Sequence, residues 1–554
     1  RVQSVAVRLV VEREREIEAF QREEYWTLGA ELQKQRGRSR KPFTANLAQI
    51  DGAKVDLKSE EQTRAVEAAL QGAVFVVDEV RKREQQRNPS APFTTSTMQQ
   101  EASRKLGFTA RRTMAVAQQL YEGVVVGSEG SVGLITYMRT DSTNIAASAQ
   151  EQALKYIAER YGSDFVPPKP RVYKAKSKGA QEAHEAIRPT LVTREPEMLK
   201  DALSSDQYKL YRLIWQRFVA SQMAAAVLDT TSVDIGARPV AVDEAPKYTF
   251  RATGSVVKFQ GFMAVYTEGK DEGEATAEEE EGGKSLPPLE AGEPLDLLRL
   301  VPEQHFTQPP PRYTEATLVK ALEQFGIGRP STYAPTLSTI QDRGYVERSG
   351  RQLIPTPIGM TVNDLLVAHF PEIVNVEFTA KMEDDLDGIA TNDAPWVEVL
   401  ARFYGPFART LALAETEMPE VVFTPEPTGE YCEKCGSEFV IKYGRFGKFI
   451  ACSGYPKCRN AKSLMVKVGA KCPECGGEMV EKKTRRKRIF YSCAEYPKCT
   501  FAVWNRPLPQ AEQPCQSCGG LLMEAAAGEA KCAKCGEVTK RVEAMVAAPV
   551  PAAG

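Results

Sequence analysis

Several features that mark other protein classes are missing from this sequence of 554 residues. It has no run of about 18 apolar residues, the length that crosses a bilayer, and its start does not read as a signal peptide. Histidine occurs only 3 times, and all 12 cysteines lie after residue 431. We therefore expect a cytoplasmic protein without a membrane partner. The length and the 42% hydrophobic content predict roughly three to five domains with buried cores.

The charges nearly cancel over the whole chain, with 72 lysines and arginines against 73 acidic residues. They are distributed unevenly. Between Glu433 and Cys499 there are 16 basic residues and only 6 acidic ones, a surplus that suits a polyanion such as nucleic acid. A merely solvated surface is the alternative, and the aromatic residues that alternate with these charges disfavour it.

The cysteines form three sets of four with the spacing of zinc ribbons. In the first two sets, 16 or 17 residues separate a CxxC pair from a C-x5-C pair, and in the third 13 residues separate two CxxC pairs. Four thiolates in two close pairs suit tetrahedral Zn²⁺. Disulfides are the alternative, which the paired spacing and the missing signal peptide disfavour. The predicted ligands of three structural zinc ions are Cys432, Cys435, Cys452, Cys458, Cys472, Cys475, Cys493, Cys499, Cys515, Cys518, Cys532 and Cys535.

Aromatic residues lie among the lysines and arginines of the first two ribbons but not of the third. Such rings can stack on unpaired bases for about 1–3 kcal/mol each, while the cations follow the phosphate backbone. Some of the rings must instead form the small core of each ribbon. The rings are Tyr443, Phe446, Phe449, Tyr455, Phe490, Tyr491, Tyr496 and Phe501. Those selected as DNA-binding are Tyr443, Phe446, Phe449, Phe490 and Tyr491.

Residues 134–143 read LITYMRTDST, with a tyrosine two positions before an arginine. A tyrosine oxygen can attack a phosphate, while a guanidinium neutralises the charge that builds on the phosphoryl oxygens. On an extended strand, Tyr137 and Arg139 would lie on the same side. Asp141, Ser142 and Thr143 are N-cap residue types and predict a helix immediately after them. The structural alternative is a half-buried tyrosine beside a solvated arginine.

This segment resembles the active-site segment of type IA DNA topoisomerases, specifically of the bacterial DNA topoisomerase I group. Three further segments are similar to that family and follow its order: RVQSV at residues 1–5, QEAHEAIRP at 181–189 and GIGRPSTY at 326–333. The resemblance implies cleavage of one DNA strand through a 5′-phosphotyrosine, passage of another strand or duplex, and rejoining without ATP. These steps relax negatively supercoiled DNA.

The resemblance also implies roles for individual residues. Tyr137 would be the nucleophile and Arg139 the phosphate stabiliser. His184 and Arg188 would support the scissile phosphate, although a histidine without such a motif is more often structural. The residues implied to bind single-stranded DNA outside the ribbons are Arg1, Gln3, Arg8, Arg329, Ser331 and Thr332. The last three lie at a predicted helix start, which suits a phosphate.

The periodicity predicts an amphipathic helix over residues 1–20, two helices between 94 and 123, and two helices followed by a hairpin between 314 and 355. Residues 268–283, acidic and glycine-rich, predict a solvated loop.

The resemblance and these patterns predict a multidomain α/β protein with the body of a type IA topoisomerase and three C-terminal zinc ribbons. Its predicted parts are a winged-helix-like domain (residues 1–33 and 300–424), a split β-rich hinge domain (34–92 and 225–299), an inserted helical catalytic domain (93–224), zinc ribbons (425–465, 466–508 and 509–540) and a disordered tail (541–554).

One departure from the family concerns metal. The family's body begins with an acidic Mg²⁺-binding domain of the Toprim type, with an Asp-x-Asp-x-Glu motif that occurs nowhere in this sequence. We expect that the chain is the later part of a longer protein, and that the Mg²⁺ ligands of the complete enzyme are absent from it. A tyrosine with an ordinary pKa near ~10 is a weak nucleophile. The sequence therefore predicts a chain that binds single-stranded DNA but does not relax supercoils by itself.

The rival interpretation is a non-catalytic single-stranded DNA-binding protein that retains this scaffold. A tyrosine recombinase is disfavoured, because the sequence has no counterpart of its multiple-arginine pocket. The expected partners are single-stranded and negatively supercoiled DNA, with RNA polymerase as a candidate protein partner. We expect a monomer associated with the nucleoid.

Overall fold

A computed structural model describes residues 2–36, 41–173, 185–239, 247–271, 286–391, 393–419, 421, 426–444, 447–463, 466–483, 489–509, 515–525 and 529–540. The chain forms two compact units, Arg1–Pro419 and Glu420–Gly554. None of the described helices is long and apolar enough to cross a membrane.

The described helices of the first unit are α1 (Val2–Ala19), α2 (Glu60–Ala69), α3 (Thr95–Leu106), α4 (Ala110–Glu122), α5 (Ala147–Tyr161), α6 (Ser205–Ser221), α7 (Glu315–Gln324), α8 (Tyr333–Asp342), α9 (Pro357–His369), α10 (Val376–Ala390) and α11 (Trp396–Glu417). Its strands are β1 (Glu24–Lys34), β2 (Phe43–Ile50), β3 (Ala53–Lys54), β4 (Val74–Arg87), β5 (Val124–Val125), β6 (Ser131–Val132), β7 (Ala226–Arg238), β8 (Tyr248–Phe259), β9 (Pro294–Phe306), β10 (Val346–Ser349) and β11 (Gln352–Pro355).

A seven-stranded antiparallel sheet joins strands that are far apart in sequence. Its order is β1-β9-β4-β7-β8-β2-β3, and β1 also pairs with β2, so the sheet closes on itself. Alternate side chains such as Leu28, Phe75 and Phe250 point into a common core. Strand β1 lies ahead of residue 34, where we predicted the hinge domain to begin, so the sheet starts earlier than expected. The domain boundaries themselves stay predictions.

The helical segment that contains the Tyr137 loop is inserted between two neighbouring strands of this sheet. The chain leaves the sheet at Arg87, at the end of β4, and returns at Ala226, the first residue of β7. These two residues are partners in the β4–β7 ladder, which runs from Val74↔Arg238 to Arg87↔Ala226. The inserted segment has its own core, to which α6 contributes most, followed by α4 and α5. Both connections to the sheet therefore lie side by side.

A third core joins the N-terminal helix to the later helices. Val5 and Val10 of α1 pack with Leu318 of α7, Ile340 of α8 and Leu353 of the β10–β11 hairpin. The predicted amphipathic helix and the helix-helix-hairpin pattern are thus confirmed. Helix α8 begins after Thr332 rather than at a Ser331 cap, and its N-cap makes no side-chain hydrogen bond.

A buried ion network ties the segment after β8 to the inserted helices. The carboxylate of Asp271 accepts two hydrogen bonds from Arg104 of α3, at 2.6 and 2.5 Å, and lies 3.6 Å from Lys320 of α7. Glu268 pairs with the buried Arg217 of α6 at 2.6 Å. The prediction of a solvated loop is therefore wrong for Asp271, whose side chain is 8% exposed, whereas Glu268 is half exposed. Residues 272–283 of that prediction lie outside the described residues.

Arg104→Met tests this network. It removes the guanidinium shared by Asp271 and Glu101, whose side chains are 8% and 2% exposed. Breaking a buried pair costs about 3–5 kcal/mol, and we expect about 3 kcal/mol here, because Lys320 still faces Asp271. Urea unfolding followed by tryptophan fluorescence measures the loss.

The matched control is Arg299→Met, which breaks a surface pair with Glu31 whose arginine is 70% exposed. It should cost less than about 1 kcal/mol. Equal losses in the two variants would show that the buried network contributes no more than a surface pair.

Candidate active site and nucleic-acid interface

The segment around Tyr137 is a loop. We predicted an extended strand, but only Ile135 forms an isolated bridge, to Pro189. Tyr137 and Arg139 are exposed, whereas Met138 between them is 1% exposed and lies in the core of the inserted segment. The two functional side chains thus point to solvent because their neighbours are anchored inside. The helix predicted right after Thr143 begins only at Ala147, without a side-chain cap.

The start of α3 holds one side of this loop. The backbone N–H of Thr95 donates to the carbonyl of Thr140 at 2.9 Å. The Thr95 hydroxyl contacts the carbonyls of Met138 and Thr140 at 2.7 and 3.0 Å and accepts the Thr140 N–H at 2.8 Å. The first turn of a helix has free N–H groups that need acceptors. The loop supplies one of these acceptors, so the helix end and the loop fix each other.

Residues 185–190 hold the other side. Thr136 donates its backbone N–H to the carbonyl of Arg188 at 2.9 Å and its hydroxyl to the carbonyl of Ala186 at 2.7 Å. Gly133, which precedes the loop, runs so close to α4 that a Cβ there would lie 2.8 Å from the carbonyl oxygen of Tyr121. This approach brings the rings of Tyr121 and Tyr137 edge to face, with centroids 5.3 Å apart.

Arg139 opens onto a cleft between the loop, α4 and α8. No described carboxylate lies within 4.0 Å of its guanidinium. The cleft has a volume of about 320 Å³ and also contains Ser331, one of the predicted DNA-binding residues. The structure thus brings Arg139 and Ser331 together. Arg111 of α4 also lines this cleft, although no sequence motif identifies it.

The other predicted catalytic residues are less directly placed. The guanidinium of Arg188 is held by Glu185 at 2.8 and 3.0 Å and by the carbonyl of Pro189 at 2.9 Å. The Arg188 side chain is therefore paired with the carboxylate of Glu185, and it is the backbone of Arg188 that anchors the Tyr137 loop. Glu185 also accepts the backbone N–H of Ala146, just before α5, at 2.7 Å. His184 lies outside the described residues.

The predicted DNA-binding residues on α1 are partly engaged by protein groups. Arg8 donates to Glu12 at 2.6 Å and to the carbonyl of Val374 at 2.9 Å. Gln3 is half-buried on the same helix. Arg1 lies outside the described residues.

Arg329 is also engaged. It donates to Asp387 of α10 at 2.5 Å, with Glu383 3.9 Å away. Burial lowers its pKa, the Asp387 hydrogen bond raises it, and the net shift is upward, so the side chain stays charged. The Thr332 hydroxyl accepts the Arg329 N–H at 2.8 Å, whereas Ser331 is exposed.

The second unit contains three small sheets. Their strands are β12 (Glu426–Tyr431), β13 (Glu438–Gly444), β14 (Gly447–Cys452) and β15 (Ala461–Ser463) in the first ribbon, β16 (Val466–Lys471), β17 (Glu478–Lys483), β18 (Ile489–Cys493) and β19 (Ala502–Val503) in the second, and β20 (Leu522–Glu524), β21 (Glu529–Cys532) and β22 (Val538–Lys540) in the third.

Each ribbon gathers its four cysteines as predicted. Within each set, the sulfur atoms all lie within 4.8 Å of one another. In the first set, the Asn460 amide donates to the Cys432 sulfur at 3.3 Å and helps to lower the pKa of that thiol to about 6. Burial and the nearby Cys435 raise the pKa of Cys452 to about 12. Such crowded thiols ionise together only with a cation between them, so the three sets suit three Zn²⁺ ions.

The ribbon aromatics divide into core and surface. Tyr491, predicted to bind DNA, is 8% exposed and packs in the core of the second ribbon, so that prediction is wrong for a free stacking ring. Phe449 and Phe490 are half-buried. Phe446 and the side chain of Tyr443 lie outside the described residues.

Two exposed rings occupy the same position in the first two ribbons. Tyr455 and Tyr496 are 60% and 62% exposed. Lys442 lies over the first ring at 5.4 Å and Lys482 over the second at 5.1 Å. The sequence contains a signal for this equivalence, because both tyrosines belong to a repeated Tyr-Pro-Lys-Cys stretch.

Thr95→Val tests the anchoring of the Tyr137 loop. The substitution keeps the shape of the side chain but leaves buried backbone N–H and C=O groups of the loop without the hydroxyl as a partner, which costs about 1–3 kcal/mol. We expect faster amide hydrogen exchange in residues 134–140, measured by mass spectrometry. Thr63→Val is the control, because Thr63 is equally buried but bonds only to Ser59 in its own helix region. Unchanged exchange in the Thr95 variant would contradict the anchoring.

Metal analysis tests the cysteine sets. The purified chain should contain three Zn²⁺ ions, and Cys432→Ser, Cys472→Ser or Cys515→Ser should each remove about one of them while the other two ribbons stay loaded. A zinc content unaffected by any of the three substitutions would rule out these ligands.

Comparison with known proteins now identifies the family. A family model described as DNA topoisomerase matches residues 1–401, and one described as Topoisomerase DNA binding C4 zinc finger matches residues 429–466 and 469–507. Full-length topoisomerase I from Thermotoga maritima has a similar structure, with 34% sequence identity and a TM-score of 0.62; the match covers 84% of this chain and 70% of that one. The predicted fold class is confirmed. The chain therefore belongs to the bacterial type IA DNA topoisomerase family.

Proposed function

We propose that this protein cleaves and rejoins one strand of DNA through Tyr137 and thereby relaxes negatively supercoiled DNA. The observation that carries the proposal is the loop in which Tyr137 and Arg139 are both exposed while Met138 between them is buried. A nucleophile and a cation two residues apart can then face the same phosphate.

The chemistry follows from these two side chains. The Tyr137 oxygen attacks the phosphorus and loses its proton to solvent, the bond from phosphorus to the 3′-oxygen breaks, and that oxygen takes up a proton. Arg139 stabilises the charge on the phosphoryl oxygens. The phosphate stays linked to the tyrosine at the 5′ end of the downstream fragment. Rejoining is the reverse attack by the 3′-hydroxyl, so no ATP is consumed.

Passage of a second strand requires the cut ends to separate. The inserted segment joins the sheet through the adjacent ends of β4 and β7, which can act as a hinge of two strands. Contacts such as Arg104–Asp271–Lys320 would hold α3 against α7 when the gate is closed. We infer that strand passage breaks this network and that closure restores it.

The ribbons would hold the unpaired strand. Tyr455 and Tyr496 present exposed rings with a lysine over each, an arrangement that combines base stacking with attraction to the backbone. Ser331 and the α1 residues Gln3 and Arg8 complete the proposed single-strand path in the first unit, with Arg8 exchanging its Glu12 partner for phosphate.

The residues described do not fit the Mg²⁺ that the family implies. Outside the cysteine sets, no three potential ligand side chains of the described residues come together. The acidic stretch of α10 is engaged otherwise, since Asp387 binds Arg329 and Asp385 binds Arg402 at 2.7 Å. The same observation favours the second candidate function, single-stranded DNA binding without cleavage.

A trapping assay separates the two functions. Single-stranded oligonucleotides carry one 3′-bridging phosphorothiolate, placed at each successive position in turn. A thiolate leaves without protonation and rejoins poorly, so even slow cleavage accumulates. We expect protein linked to the downstream fragment in the wild type and none in Tyr137→Phe, with oligonucleotide binding unchanged in both.

Tyr121→Phe is the matched control, because Tyr121 packs against Tyr137 and is 41% exposed. It should form the adduct. Binding without an adduct at any position in the wild type would leave the non-catalytic function, and an adduct that persists in Tyr137→Phe would refute the assignment of the nucleophile.

A further inference from the structure

The cleft beside Arg139 is lined by residues that have no role in the cleavage step proposed above. Its apolar lining residues are Met114, Pro330, Ala334 and Pro335. Its polar lining residues are Arg111, Arg139, Ser331, Ser338 and Thr339. Apolar walls with a few converging polar groups are typical of ligand sites, and about 320 Å³ falls at the lower end of their size range.

Most of these polar groups are available to a ligand. Among the described residues, Ser331, Ser338 and Arg139 have no hydrogen-bond partner for their side chains. Thr339 donates to the carbonyl of Pro335 at 2.8 Å, which leaves its oxygen free to accept. Both cations therefore lie next to the Tyr137 loop. Arg139 forms no hydrogen bond that would give it a structural role among the described residues.

Arg111 is only weakly held where it is. Its guanidinium lies 3.7 Å from Asp342, and the two side chains are 76% and 52% exposed. Surface pairs of this kind contribute about 0–1 kcal/mol. A phosphate oxygen can therefore replace Asp342 at little cost. A direct hydrogen bond from the guanidinium to a phosphate is stronger than the pair with Asp342 at 3.7 Å.

We propose that this cleft receives one nucleotide of the cleaved strand next to the scissile phosphate, and that Arg111 binds the phosphate of that nucleotide. The base lies against the prolines and Met114, and the hydroxyls face its edge or its sugar. The inference rests on the proposed function, because the cleft opens beside Arg139. With phosphates bound at both Arg111 and Arg139, the strand is fixed on both sides of the nucleotide.

Single-stranded DNA binding at several salt concentrations tests the proposal. Each phosphate contact contributes about −0.7 to the slope of log K against log salt for single strands. Arg111→Ala in the full chain should make the slope shallower by about 0.7 and weaken binding equally for different base sequences.

Arg112→Ala is the matched control. It removes the same charge from the next position of α4, but Arg112 is paired with Asp206 at 2.6 Å and does not line the cleft. Its slope should equal that of the wild type. Equal slopes for the two arginine variants would overturn the proposal.

A second variant fills the cleft without changing charge. An oligonucleotide containing 4-thiothymidine should crosslink to the peptide that includes residues 330–339 in the wild type, and Ser338→Phe should remove that crosslink. Persistence of the crosslink in Ser338→Phe, or its absence from the wild type, would count against the site. A wild-type chain that binds no oligonucleotide would instead refute the proposed function itself.

Discussion

The position of Tyr137 depends on one buried side chain, the hydroxyl of Thr95. It is fully buried, contacts two carbonyls of the Tyr137 loop and accepts one of its N–H groups. Because an unsatisfied buried polar group is costly, the start of α3 and the loop cannot separate easily. The hydrogen bonds from Thr136 to residues 186 and 188 close the loop from the other side. The exposed side chain of Tyr137 is thereby held outside the core by groups that lie within it.

The surrounding architecture is consistent with the proposed movement of the inserted segment. This segment is connected to the closed sheet through β4 and β7, which are neighbours, and its core also includes Phe262 and Tyr266 after β8. Its contacts with α7 and α8 include polar and charged ones rather than apolar packing alone, such as the backbone N–H of Ala110 on Glu315 at 2.7 Å and Arg111 at 3.7 Å from Asp342. Charged pairs lose their partners to water on separation, which costs less than exposing a large apolar surface. In the proposed gate, the inserted segment is therefore rigid, whereas its interface with α7 and α8 can open.

Much of this could be predicted from local sequence. Valines at helical spacing predict α1, Gly107 ends α3 in a left-handed conformation, and the cysteine spacing predicts the three tetrads. The loop at Tyr137 could not be predicted, because its shape comes from Thr95 and Arg188, each more than 40 residues away. Tyr137 and Arg139 are two positions apart, a spacing that fits the alternation of a strand, and we therefore predicted a strand there.

The misassigned residues have similar causes. Tyr491 and Tyr496 are both aromatic residues among basic ones. Only the fold shows that Tyr491 lies on β18 and faces the ribbon core, whereas Tyr496 lies in the turn after that strand and is exposed. Arg111 belongs to no motif, and its relevance appears only when α8 is packed against α4. Family resemblance supplied the roles of Tyr137 and Arg139, whereas the cleft between them and α8 required the three-dimensional arrangement.

The most direct measurement is to locate the bond between protein and DNA. The adduct trapped with the phosphorothiolate oligonucleotide would be digested with trypsin and nuclease and sequenced by tandem mass spectrometry. We expect a nucleotide joined through its 5′-phosphate to Tyr137, on a peptide that ends at Arg139. A nucleotide on any other residue, or one joined through its 3′-phosphate, would contradict the proposed role of Tyr137.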